Sequence, residues 1–326
     1  MFPYKKSTKR IRLLISLVSA SLCLVISLKS GANDRQDTTN RFYFGRFSFA
    51  ADTTGEDIWS SYKIAENDIK LISKNGKRDI DKAINDAIEK INKLHKSGYP
   101  GYDQTIALEH GGAIVVSKGK KYNFDIYYLT SKNTLYRQTV EGVSLQGFDN
   151  SIKITKDINS GIHFRNPTTP PPAGAFALEA GYIDLPLNKY PEQISIGLPI
   201  STAPGIHIIF DTQIIGETEP GLSSRCEERT TGGMTQLLKG LLFKTTLIRK
   251  RQLMVVGLPF EELLLKTKSD GRIFYSFRLE FPGTPEKSLE PYTVLELSTL
   301  DKGETFASDD EALTFWDKMV TSIERI

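Results

Sequence analysis

Apolar residues in the first half of the chain follow a helical period once and a strand period several times. Between residues 78 and 98 they recur every three or four positions, and Gly98 follows as a stop signal. This pattern predicts one helix that buries a single face. Strand patterns fall at 41–49, 69–73 and 105–118, and in a hairpin of 121–131 with 134–145 around Lys132-Asn133.

The second half shows a similar mixture of elements. Strand patterns fall at 174–186, 192–200, 207–216, 245–259, 261–268, 272–281 and 291–300. The sequence Ser269-Asp270-Gly271 predicts a hairpin turn between two of them. Helices are predicted at 224–242 and within 308–326, where Ser308 and Glu311 fit a capping box.

A proline-rich run, NPTTPPPAG, separates the halves at residues 166–174. Prolines hold their neighbours extended, so six residues of polyproline II would span about 19 Å. We therefore predict an α+β fold in two domains, 41–165 and 175–326, each an antiparallel sheet packed with helices. The two halves share an order of elements, which an internal duplication would explain. A surface loop inside one domain is the alternative for the run.

Residues 1–32 have the order of a secretory signal peptide. A basic head precedes sixteen uncharged residues at 13–28, and small residues end the segment at Ala32. The apolar run is shorter than the ~20 residues of a spanning helix, and an uncleaved inner-membrane anchor is the alternative. Leu22 before Cys23 does not fit lipid attachment. The sequence thus predicts a periplasmic protein that begins with a polar tether at 33–40.

Removal of this leader changes the sign of the net charge. Residues 33–326 carry 36 Lys and Arg against 39 Asp and Glu, although the whole chain has a formal charge of +3. The half before residue 173 is mildly basic and the other half is acidic. A basic surface for nucleic acid is therefore not predicted. With Cys23 gone, Cys226 cannot form an internal disulfide, so the fold must depend on its apolar core.

No set of residues in the sequence is typical of catalysis, a metal site or a cofactor. The chain has no Gly-x-Ser-x-Gly turn, no His-Glu-x-x-His motif and no phosphate-binding glycine loop. Its four histidines have no metal-ligand spacing. Glu109-His110-Gly111-Gly112 resembles an oxyanion-hole segment but has no nucleophile to serve. We therefore predict a binding protein without enzymatic activity or cofactor.

Adjacent acids at Glu227-Glu228, Glu261-Glu262 and Asp309-Asp310 do not form a catalytic pair, because acid–base work needs two carboxylates across a cleft. Asp309-Asp310 fits the first turn of the last helix and its dipole. Glu261-Glu262 follows the turn Gly257-Leu258-Pro259, which would present both acids at the head of a strand. A solvated turn and a partner contact are both compatible with them.

Four segments of the second half resemble one known family. They are GYIDLPLNKYPEQISIGLPI (181–200), IRKRQLMVVGLPFEELL (248–264), YSFRLEFPGTPEKSLEPYTVLELSTL (275–300) and DEALTFWDKMVTSI (310–323). They are similar to the C-terminal domain of immunity proteins against type VI secretion lipase effectors of the fourth family. The segment RFYFGRF (41–47) is similar to the opening strand of that family's N-terminal domain.

The resemblance implies a periplasmic, non-catalytic protein with two α+β domains that binds a cognate phospholipase effector and inhibits it. A clamp with both domains on the effector would follow from the proline spacer. The family pattern and an expected loop position select four partner-binding candidates: Phe260, Glu261, Glu262 and Arg278.

Two other classes of protein are compatible with the sequence. An envelope hydrolase would need catalytic residues outside known motifs, with His110 and a nearby acid as the best candidates. An envelope adaptor or lipoprotein would keep its N-terminal segment or carry lipid. The membrane is otherwise expected to contact the chain only through that segment if it is uncleaved.

Overall fold

The structure is a computed structural model that describes residues 40–53, 58–218, 220–225, 245–269, 271–303 and 305–326. The predicted signal peptide and all of the tether except residue 40 lie outside these residues. So do Cys226, Glu227-Glu228 and all but the start of the helix expected at 224–242; residues 222–225 are helical.

The described residues form eighteen strands, three complete α-helices, the helical segment at 222–225 and one short 3-10 turn at Glu109–Gly111. The helices are α1 (Gly76–His95), α2 (Phe148–Gly161) and α3 (Asp309–Thr321). Strands of the first half are β1 (Asn40–Phe44), β2 (Phe47–Ala51), β3 (Trp59–Ile64), β4 (Asn67–Ser73), β5 (Gly101–Ala107), β6 (Ala113–Lys118), β7 (Tyr122–Leu129), β8 (Leu135–Val143) and β9 (Ile162–Phe164). Strands of the second half are β10 (Phe176–Leu178), β11 (Gly181–Ile183), β12 (Glu192–Pro199), β13 (Ile206–Gln213), β14 (Thr245–Val255), β15 (Leu258–Ser269), β16 (Arg272–Phe281), β17 (Tyr292–Thr299) and β18 (Glu324–Arg325).

Twelve strands form one antiparallel sheet in the order β14-β15-β16-β17-β13-β12-β3-β4-β8-β7-β6-β5. The α+β prediction is therefore confirmed, but the expectation of a separate sheet in each half is corrected. Strand β3 of the first half pairs with β12 of the second over six residues, from Trp59↔Gly197 to Ile64↔Glu192. An unpaired edge strand exposes backbone donors and acceptors, and this pairing removes one such edge from each half.

One face of the sheet carries the main hydrophobic core, which contains residues of both halves. The β1–β2 hairpin packs there with Phe44 and Phe49, whose rings lie 5.0 and 5.7 Å from the ring of Phe210 on β13. Strand β18 pairs with β2, and α3 contacts the same strand. The opening segment of the predicted N-terminal domain thus lies within the core of the second half, and residues 40–326 belong to one compact unit.

The opposite face of the sheet is covered by α1 where β5 to β8 lie. The helix buries Ile80, Ala87 and Ile91 against a smaller core that includes Tyr127 and Leu135. The neighbouring residues Tyr128 and Tyr136 point to the main core, because side chains alternate along a strand. The predicted amphipathic helix is confirmed, with Gly98 in the left-handed conformation (φ 87°) just after its end.

The proline run is folded rather than straight. It connects β9 and β10, which both pair with β11 in a three-stranded sheet. A turn closes between the Thr169 amide and the Asn166 carbonyl at 2.9 Å, and Arg165 donates to the carbonyls of Pro167 and Thr169 at 2.8 and 2.7 Å. The buried guanidinium needs these acceptors, and they bend the run. The prediction of an extended 19 Å spacer is therefore wrong. Autonomous domains at 41–165 and 175–326 and an internal duplication stay predictions.

Local signals predicted the hairpins well. Strands β7 and β8 join around Asn133 (φ 70°), and β15 and β16 join with Ser269 opposite Arg272, as expected. The single strand expected at 41–49 is instead two strands, because Gly45 (φ 54°) turns the chain between Phe44 and Phe47. Helix α2 was not predicted from the sequence.

Candidate functional site

The four predicted partner-binding residues lie in adjacent strands and not in a loop. Strands β14 and β15 join through a two-residue turn at Val256-Gly257, with Val255 opposite Leu258. Both turn residues have positive φ (48° and 78°), as a type I′ hairpin requires, so the chain is already extended at residue 258. Phe260 and the residues after it therefore belong to the sheet.

Strand alternation divides the four residues between the two faces of the sheet. Phe260 and Glu262 point to the main core and are each 1% exposed. The ring of Phe260 lies 5.6 Å from that of Phe281. Glu261 and Arg278 lie on the opposite face and are partly exposed. A partner that docks on this surface can reach only the second pair.

Glu262 is a buried carboxylate that holds α3 on the β14–β15 hairpin. It accepts a hydrogen bond from Nε1 of Trp316 at 2.9 Å and from Nε of Arg249 at 2.6 Å. Arg251 lies 2.9 Å from the same carboxylate. A buried charge is tolerated when it is paired and hydrogen-bonded, so this glutamate has a structural role.

Two aspartates of α3 complete the anchor. Asp317 accepts from Arg249 at 2.9 Å, and this hydrogen bond lowers the pKa of its carboxyl below the ordinary value of 3.8. Asp309 pairs with Lys266, which lowers its pKa as well, and accepts from the Tyr275 hydroxyl at 3.0 Å. The basic run Arg249-Lys250-Arg251 therefore contributes two arginines to internal ion pairs.

Glu261 and Arg278 belong to a polar cluster on the other face. Glu261 accepts from the Ser223 amide at 2.6 Å, and Arg278 donates to Glu280 at 2.8 Å and pairs with Glu296. Arg225 also pairs with Glu280, so the short helical segment at 222–225 lies over this cluster. The alternating charges make the surface self-compensated, with the Arg278 side chain 30% exposed at its edge.

An aromatic group that the sequence analysis missed lies on the same face. Trp59 of β3 is 44% exposed, and its ring stacks on that of His207 at 6.5 Å and 12°. The indole occupies the space that a side chain at position 197 would need, so Gly197 allows this placement. Burial lowers the pKa of His207. The sequence around Trp59 does not indicate this position on the sheet, because the paired strand β12 lies more than 130 residues from Trp59 along the chain.

His110, the one histidine considered for catalysis, and His95 lie in separate turns. His110 lies in the exposed 3-10 turn with a positive φ of 58°, and Nδ1 of His95 lies 2.8 Å from the Tyr99 carbonyl oxygen beyond the end of α1. Within the described ranges no three His, Cys, Asp or Glu side chains are grouped as metal ligands. In those same ranges, none of the helices is both long and apolar enough to span a bilayer.

Comparison with known proteins gives one matching family model and several solved structures of the same fold. Residues 169–325 match the family model described as Tle cognate immunity protein 4 C-terminal domain. No curated protein matches the sequence significantly.

Three solved structures share the fold over 88 or 89% of this chain. The apo immunity protein TplEi of the type VI secretion system of Pseudomonas aeruginosa has a TM-score of 0.76 at 21% identity, with 97% of that chain covered. The same immunity protein in complex with an "L" peptide has a TM-score of 0.74 at 22% identity, with 99% covered.

The third structure is a Tle4–Tli4 complex, with a TM-score of 0.76, 22% identity and 97% of that chain covered. The structural likeness extends over both halves, while the family match locates the specific signal in the second. Residues 169–325 of this chain therefore match the family model of Tle cognate immunity protein 4 C-terminal domains, which is the family that the resemblance in the sequence indicated.

Proposed function

We propose that this chain is an immunity protein that binds a cognate phospholipase effector of a type VI secretion system and inhibits it without catalysis of its own. The family match at 169–325 carries the proposal. The similar fold in a Tle4–Tli4 complex and in the TplEi immunity protein supports it.

Inhibition would work by occupation of the effector surface by both halves of the molecule. A phospholipase must open onto a lipid surface to act, and a large bound protein would block that approach. The pairing of β3 with β12 fixes the two halves relative to each other. Such a preformed clamp would lose little conformational freedom on binding, which favours affinity.

The different net charges of the two halves support electrostatic steering of the effector toward this protein. Residues 173–326 hold 16 basic against 22 acidic side chains, whereas the half before them has a basic excess. An acidic lobe would accelerate encounter with a basic patch on the effector. Glu261, which lies on the accessible face of that lobe, is a candidate contact together with Arg278.

The site of action would be the periplasm. The basic head, apolar run and small residues of 1–32 have the order of an export signal. An inhibitor placed there would meet an incoming effector before the effector reaches the membrane.

The proposal is tested with residues 33–326 and the cognate effector, which we expect to be a phospholipase encoded beside this chain's gene. We expect hydrolysis of phospholipid vesicles to stop at about one inhibitor per effector, since tight complexes of standard size saturate near stoichiometry. In cells that receive the effector in the periplasm, residues 1–326 should protect and residues 33–326, which lack the leader, should not.

An unrelated phospholipase in the same assay is the control, and its activity should be unchanged. Turnover of lipid by the purified chain alone, or full effector activity at a tenfold excess of the chain, would contradict the proposal.

A further inference from the structure

A basic and aromatic surface lies at one end of the first half. Helix α1 ends there at His95, and after a short turn β5 begins at Gly101. The β6–β7 turn lies beside this segment, because Gly101 pairs with Lys118 and a Cβ added at Gly119 would lie 3.3 Å from Pro100. The end of a helix and two loops thus form one surface. We call this surface, residues 93–102 and 118–121, the tip.

The tip exposes three large apolar side chains. Tyr99 is 59% exposed, Tyr102 is 40% exposed and Leu94 is 39% exposed. Single exposed apolar residues are ordinary on a protein surface, whereas a group of them at one place marks a contact site. The backbone holds the most exposed ring in place: the Tyr99 amide donates to the Leu94 carbonyl at 3.4 Å, and Nδ1 of His95 lies 2.8 Å from the Tyr99 carbonyl oxygen.

Exposed lysines surround these apolar side chains. They are Lys93, Lys96, Lys118, Lys120 and Lys121. The acids near these loops are Asp103, Glu141 and Asp149, which are fewer than the lysines, so the tip has a net positive charge. Residues 33–326 as a whole carry 36 basic against 39 acidic side chains. The fold therefore concentrates positive charge at the tip of a chain that is otherwise slightly acidic.

Stabilisation of helix α1 explains only part of this charge. Lys93 and His95 lie in its last turn, where cations complement the helix dipole. Lys120 and Lys121 are outside the helix and have no such role.

Internal ion pairs do not explain the charge either. Lysines elsewhere in the fold pair with aspartates, as Lys82 does with Asp86 and Lys189 with Asp157. Across the residues that the structure describes, the five tip lysines form no ion pair of this kind, and Lys118 instead lies over the ring of Tyr122 at 5.2 Å. The positive charge of the tip is therefore available to a ligand outside the chain.

We propose that the tip binds the surface of a bilayer that contains anionic phospholipid. Tyrosine is enriched where a membrane meets water, because its ring lies among the headgroups while its hydroxyl stays hydrated. Lysines close to anionic lipid each add to the attraction, and Leu94 would enter the boundary with the acyl chains. This contact goes beyond the proposed function, since its ligand is lipid and not the effector.

The tip would be a second membrane contact, separate from the N-terminal segment to which the sequence limits such contact. If the chain is also the inhibitor proposed above, a contact with lipid would keep it at the surface on which a phospholipase acts. Its local concentration near an incoming effector would then be higher than in free solution.

The test is co-sedimentation of residues 33–326, which lack the apolar leader and contain the compact unit described above, with lipid vesicles. We expect binding to vesicles of phosphatidylethanolamine with phosphatidylglycerol and none to vesicles of phosphatidylcholine alone. Binding should weaken as salt is added, because salt screens the attraction. Lys120→Gln combined with Lys121→Gln should weaken it about 10- to 30-fold. Tyr99→Ser should weaken it about 3- to 10-fold, because it removes apolar area from the interface.

Two matched controls change the same chemistry elsewhere. Lys74→Gln combined with Lys77→Gln removes two exposed lysines at the other end of α1, where Lys77 lies about 24 Å along the helix from Lys93. Leu300→Ser removes an apolar side chain that is 44% exposed in the second half. Both controls should bind the anionic vesicles as the wild type does. All of these side chains are exposed, so we expect the unfolding midpoint of every variant to stay near that of the wild type.

Absence of wild-type binding to the anionic vesicles would overturn the proposal, and so would equal losses in the tip variants and the controls. An acidic surface of the effector is the other ligand that a basic patch could fit, and calorimetry without lipid distinguishes it. The tip variants should keep wild-type affinity for the effector. Weaker effector binding without vesicle binding would assign the tip to the effector instead. The vesicle assay contains no effector, so its failure leaves the proposed function intact, and failure to inhibit the effector leaves the tip intact.

Discussion

Neighbouring residues of one sequence motif have different roles in this structure. Glu261 and Glu262 cannot be distinguished by composition, and the family pattern marks both. Strand alternation places them on opposite faces, but the sequence does not reveal which face is buried. That depends on Trp316 and Arg249, which reach Glu262 from 54 and 13 residues away. Glu262 is therefore assigned to the core, and Glu261 remains a candidate for partner contact.

Glu262→Gln should destabilise the fold by about 2 kcal/mol, because it leaves two arginines and an indole beside a neutral group in the core. The measurement is the free energy of unfolding in urea. Glu261→Gln is the control: its amide oxygen can still accept from Ser223 at the surface, so we expect a change below about 0.5 kcal/mol. Equal effects of the two substitutions would contradict the division between the faces.

At the scale of elements, local residues predict the hairpins but do not predict helix α2. Turn residues such as Asn133 and Gly271 mark hairpins because few residue types tolerate positive φ. Helix α2 buries Thr155, Ile158, Asn159 and Gly161, none of which is a strong helix former on its own. Packing on β7 and β11 stabilises it as a helix. The spacing of Phe148, Ile152 and Thr155, which are four and three residues apart, is the sequence pattern that indicates a helix here.

The β14–β15 turn contains a residue that suits it poorly. Val256 has a φ of 48°, and a β-branched side chain is strained there. Val256→Asn creates the Asn-Gly pair that type I′ turns favour, so we expect a gain of about 1 kcal/mol in unfolding free energy. Met254→Asn, at an exposed strand position beside it, adds the same polarity without relief of strain. It should give no gain, and a gain of the same size there would contradict the role of φ.

At the scale of the whole molecule, the sequence predicts the fold class and the family but not the joining of the halves. Pairing of β3 with β12 joins residues that are 128 to 138 positions apart, from Ile64↔Glu192 to Trp59↔Gly197, and such pairing leaves no local pattern. The proline run looks like a divider in sequence because Arg165, which folds it, acts through backbone carbonyls that every residue has.

Residues 173–326 alone should lack cooperative unfolding, because they lose the β1–β2 hairpin that covers Phe210 and the β3 partner of β12. Circular dichroism during urea titration measures this. The control is the chain 33–326 cut by a protease site placed within 166–174. Its two fragments should elute together in gel filtration, since they share a sheet and a core. Separate elution with independent, cooperative unfolding would establish two autonomous domains.

The ion pair between Arg41 and Glu324 has a kinetic consequence. These residues are 283 positions apart, so the small sheet that they border closes only after a very long loop has been ordered. Folding rates fall as contacts become less local, so the protein should fold slowly. Before this small sheet closes, the phenylalanines of the first hairpin remain uncovered and prone to aggregate. A chaperone would therefore have a long interval in which to act.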